Sequence, residues 1–127
     1  MHPCLQGLDA AEVRHLLSAH GLVLILEITT GGDYTPDLAD GPQRHLQQLE
    51  DLLGRAHALE PLKINLITGS DSWPEPEQHR FLEAVLDRSE AGPCPVMVET
   101  HRSRSLFNPW QTVSYTHLRA HETMAHL

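Results

Sequence analysis

The chain has 127 residues, one domain's length, and a net charge of −8 with a single lysine, Lys63. Nucleic-acid modules usually carry a basic stripe, so this balance argues against a phosphate-backbone binder and favours a small neutral or anionic metabolite handled locally. Cys4 and Cys94 lie far apart with no C-x-x-C, which suggests neither a disulfide framework nor a thiolate metal knot and fits a reducing cytoplasm. No charged-then-apolar leader is visible, and the longest aliphatic run, Leu22 to Leu26, is too short to span a bilayer. The expectation is a soluble, unexported chain with no membrane partner.

Pro3 and Gly7 are the only breakers in an uninformative start. Asp9 then caps a helix over 10–20, with Glu12 closing a capping box and Gly21 supplying the left-handed stop. Spacings of three and four put Val13, Leu16, Leu17 and His20 on its inner side, while His15 and His20 read most simply as surface or helix-end residues. Leu22 to Ile28 is a nearly continuous aliphatic run, the mark of a strand covered on both faces. A turn-rich loop, Thr29 to Pro36, leads to Gly41-Pro42 and a helix whose buried stripe is Leu46, Leu49, Leu52, Leu53, Ala56 and Leu59. A second strand over 62–67 ends in Thr68-Gly69-Ser70-Asp71-Ser72-Trp73. That loop echoes Thr30-Gly31-Gly32-Asp33-Tyr34, and ordinary turn chemistry accounts for the echo. A third helix runs from about 74 to 91 with Phe81, Leu82, Val85 and Leu86 inward, and a third apolar strand starts at Pro95.

This strand–helix rhythm belongs to a parallel α/β protein, either a barrel or a doubly wound open sheet. Alternation along a strand separates the two. Leu24, Leu26, Ile28, Ile64, Leu66, Val96 and Val98 would point one way, and Glu27, Asn65 and Glu99 the other. A barrel lets the polar set converge inside its mouth. An open sheet would bury two carboxylates and an amide at ~1–3 kcal/mol or more each unless they were partnered.

The chemistry is expected where the third strand ends abruptly in Glu99-Thr100-His101-Arg102, followed by Phe107-Asn108-Pro109-Trp110. Those words resemble the sugar phosphate isomerase/epimerase family of xylose-isomerase-like TIM barrels, whose strand ends in Glu-Thr-His-Arg-Gly before an aromatic-Asn/Thr-Pro-Trp helix start. The resemblance covers about 10–112 and is sharpest at 95–110. It implies an α/β fragment of a (β/α)8 barrel with about three βα units, since a whole barrel needs roughly 250 residues. It further implies Glu99 as ligand of a divalent metal (Mg, Mn, Co or Zn), Glu99 and His101 as catalytic groups, and Arg102 as a contact to a sugar or sugar phosphate; Asn65 and Glu27, on the same face as Glu99, join Arg102 as candidate substrate contacts. Ser103 stands where the family has glycine, which puts that turn in question. The remaining ligands would come from strands beyond this chain, so the fragment is expected to be inactive alone and to self-associate. Two alternatives stay open: an abasic-site endonuclease of the same barrel superfamily, and a non-enzymatic flavodoxin-like binding module. The acidic balance weighs against the first, and the lack of a G-x-G-x-x-G or Walker loop weighs against the second.

The segment 113–127 breaks from the helical pattern before it and is similar to a translated sequencing adapter. It is expected to be a non-native tail that adds no packing. His117 and His121 sit four apart there, but two histidines without a third ligand are a weak site, and His121 to His126 is one residue too long for H-E-x-x-H.

Overall fold

The computed structural model describes residues 7–118, with side chains as far as Tyr115. Pro3, Cys4 and the imidazoles of His117 and His121 lie outside the described residues. The elements are α1 (Ala10–Ala19), β1 (Ile25–Thr29), α2 (Pro42–His57), β2 (Lys63–Ile67), α3 (Glu75–Glu90), β3 (Val96–Val98) and α4 (Pro109–Leu118). The strands form one parallel sheet in the order β1-β2-β3, with Glu27 opposite Asn65 and Asn65 opposite Met97.

One face of this sheet builds the core. Leu26, Ile28, Ile64, Leu66, Val96 and Val98 pack in one cluster with Leu46, Leu49, Leu53 and Ala56 of α2 and with Phe81, Leu82, Val85 and Leu86 of α3. The opposite face is open along its edge strands and closed at the carboxyl end of the central one, where Ile67 is 1% exposed. Ile25 is 50% exposed beside Leu26 at 2%, Glu27 and Glu99 are exposed, and Asn65 and Met97 are half-buried. The alternation expected from the sequence is therefore present, but β1 is not covered on both faces. It also starts three residues late, because β2 pairs no further back than Lys63, opposite Ile25. Leu22 and Val23 precede the ladder and are exposed.

α1 begins as expected, with the Asp9 carboxylate accepting from the Glu12 amide at 3.3 Å, and Gly21 follows its end at φ 64°. The expected inner stripe forms only in part: Val13 packs half-buried against the core and Leu17 is half-buried, while Leu16 and His20 stay outside. α1 contributes no buried residue, Leu16 is 59% exposed and His20 is the exposed C-cap, its Nδ1 donating to the Leu16 carbonyl at 2.9 Å. The expectation that 113–127 adds no packing is also corrected. Tyr115 of α4 is 1% exposed within the core cluster, and the Ser114 hydroxyl donates to Glu75 at 3.0 Å.

Candidate functional site

The expected site residues share the open face but not one depth. Glu99 follows β3 directly, its amide donating to the Leu66 carbonyl at 2.9 Å. Its row on the sheet is therefore that of Ile67 and Thr29, not that of Asn65 and Glu27. Those two lie mid-strand, about 7 Å deeper, and β1 is about 10 Å across from β3 at ordinary strand spacings. The expectation that Glu27, Asn65 and Glu99 all occupy strand ends is thus corrected: only Glu99 does. Arg102 is exposed, and His101 is half-buried against Tyr34, ring centroids 5.9 Å apart and 19° from parallel. The His101 Nδ1 is 3.1 Å from the Arg102 carbonyl. A carbonyl can only accept, so Nδ1 carries the proton of the neutral ring and Nε2 is left as the basic nitrogen.

Beneath these residues the strand ends are tied by buried polar groups that the motif reading did not identify. Thr30 and Thr68 occupy one row past the last paired residues of β1 and β2, and their hydroxyls bond at 2.6 Å. Each precedes a left-handed glycine, Gly31 at φ 64° and Gly69 at φ 80°. The Thr-Gly echo thus marks equivalent corners of successive βα units. At both glycines a Cβ would collide, with the His45 ring at Gly31 and with Ser105 at Gly69.

His45, on α2, is buried at the centre of this arrangement. Its Nδ1 accepts from the Gly69 amide at 3.3 Å and lies 2.9 Å from the Thr30 hydroxyl, while Trp73 and Phe81 meet its ring edge-on. Burial, aided by the Arg104 charge and opposed by Asp40, lowers its pKa to about 4. The imidazole is neutral, with its proton on Nε2.

Arg104 is the other unforeseen residue, fully buried and, among the described residues, without an acidic partner at its donors. Nε donates to the Tyr34 carbonyl at 3.2 Å, Nη1 to those of Thr30 and Gly69, and Nη2 to that of Asp33. Burial pulls its pKa below the ordinary value and nearby Asp33 opposes the shift. Between Arg102 and Arg104 stands Ser103 at φ 67°. This left-handed corner sends Arg102 out to solvent and Arg104 into the protein. Alternation alone would have placed both arginines alike. His45, by contrast, carried a legible signal, being four residues before Leu49 and eight before Leu53 on the buried stripe.

A divalent ion would find in Glu99 a hard oxygen donor at an open strand end. Among the described residues, no three His, Cys, Asp or Glu side chains gather to hold a metal. Glu99 is thus, among the described residues, a single carboxylate donor without two further candidate ligands beside it. Among the described residues no helix is long and apolar enough to cross a membrane. No protein-family model, curated protein or solved structure matches the chain significantly.

Proposed function

We propose that this chain is a three-unit part of a βα barrel whose intact form isomerises or epimerises a sugar or sugar phosphate in the cytoplasm with the help of a divalent cation. The observation that carries the reading is the one-sided sheet: parallel strands in sequential order, apolar residues under the helices, and Glu27, Asn65 and Glu99 on the open face. A flavodoxin-like module would reverse its strand order at a switch point and cover both faces with helices. In the proposed barrel the open face is the inner wall, and Glu-Thr-His-Arg sits at its carboxyl-end mouth, where barrel enzymes gather their working groups. A cation bound at Glu99 would supply Lewis acidity toward a substrate oxygen. His101, whose Nδ1 is engaged by the Arg102 carbonyl, would take up and return a proton at Nε2, and Arg102 would hold hydroxyls or a phosphate by its planar fork.

The test is made in the intact parent. Glu99→Gln keeps size and hydrogen bonding but removes the charge a hard cation needs, so metal affinity and turnover should fall together. Arg102→Lys should spare the metal and raise KM, because the fork is lost although the charge remains. Calorimetric metal titration separates the two roles, and undiminished metal binding in Glu99→Gln would sink the assignment of Glu99.

A further inference from the structure

Three residues beyond His101 the same loop reaches into the protein. The four carbonyls that receive the Arg104 guanidinium belong to two other loops: Thr30, Asp33 and Tyr34 follow β1, and Gly69 follows β2. Guanidinium donors point in fixed directions within one plane, so accepting from them fixes the path of the backbone that carries the carbonyls. Tyr34 closes that path. Its carbonyl is held by Arg104 Nε, and its ring lies stacked on His101. The Arg104 amide in turn donates to the His101 carbonyl at 3.1 Å, which completes a circuit from His101 through Arg104 and Tyr34 back to His101.

We infer that Arg104 is a positioning residue of the candidate site: by anchoring the backbone of Tyr34 it holds the Tyr34 ring against His101 and so sets the direction in which His101 Nε2 faces. The inference rests on the reading of His101 as a site residue, but it is testable without substrate or metal. Tyr34 stands half in solvent, so its ring can be removed without opening the core.

The experiment is heteronuclear NMR of the whole chain, with the His101 ring signals identified by their absence in His101→Gln. A stacked phenol moves imidazole protons upfield of those of exposed His15. Tyr34→Phe should keep that displacement and Tyr34→Ala should abolish it. Arg104→Lys, a point charge that cannot reach four carbonyls as a fork does, should abolish it while the core methyl signals stay dispersed. An unchanged His101 shift in Tyr34→Ala, or in a folded Arg104→Lys protein, overturns the inference. If Arg104→Lys does not fold, the wild-type chain in sub-denaturing urea decides. Joint loss of Arg104 Nε–H protection and of the His101 displacement supports the inference, and loss of either one alone overturns it. Failure of the proposed function is separately visible: in the intact parent, full turnover by His101→Gln removes the catalytic role of His101 and leaves the NMR result standing.

Discussion

His45 makes stability pH-dependent in a definite direction. Its folded pKa of about 4 lies below the ordinary 6.5, so between those values the unfolded chain binds a proton that the folded chain refuses. The contribution is complete above pH 6.5 and is lost as pH falls toward 4, and a shift of this size corresponds to about 3 kcal/mol. Urea unfolding at pH 7 and pH 4.5 should show most of that loss, and His45→Gln should flatten the difference. An equal pH slope in the variant would mean that other groups carry it. Ser103 gives a second test, since a left-handed backbone costs an L-residue ~1–2 kcal/mol and glycine recovers it less ~0.4–1 kcal/mol of unfolded-chain entropy. Ser103→Gly should raise the melting temperature by a few degrees and Ser103→Val should lower it. Glu99, His101 and Arg102 were legible as candidates because charge follows an apolar run. The role of Arg104 was not, because one left-handed residue two positions past His101 parts two arginines that alternation would place alike.

At the scale of elements, the rhythm of strands and helices was legible from apolar spacing, and the stripes of α2 and α3 lie where that spacing puts them. α1 follows the same reasoning only in part. The Asp9 cap forms and Val13 packs against the core, but local signals of this kind fix where a helix starts and do not decide how much of its apolar side finds a partner surface, and Leu16 stays exposed. α4 errs the other way: its pattern is weak, yet Tyr115 reaches the core beside His79. Tyr115→Ala should cost about 3–5 kcal/mol, the range for deleting a large buried aromatic side chain. Truncation after Thr112 should destabilise in the same direction, whatever the origin of the segment. A urea midpoint unmoved by both changes would show that α4 does not pack in solution.

At the largest scale the decisive feature is the more open sheet face, flanked by β1 and β3, which have no further strand beside them among the described residues. Ile25, Leu22, Val23 and Leu62 are all at least half exposed near its amino end, with the Arg14–Glu60 pair beside the last three. Unpaired parallel edges beside such a surface favour association, whereas the net charge of −8 opposes it. Association of the isolated chain should therefore depend on concentration and strengthen with added salt, which screens the repulsion between copies. Sedimentation at two salt concentrations measures both effects. Ile25→Lys puts a charge on the open face at the edge strand, the device by which natural edges are protected, and should shift the population toward monomer without unfolding it, because the residue lies outside the core cluster. A wild-type chain that stays monomeric at high concentration and melts cooperatively would mean that this face needs no further strands to cover it, and the barrel-part reading would lose its main physical support.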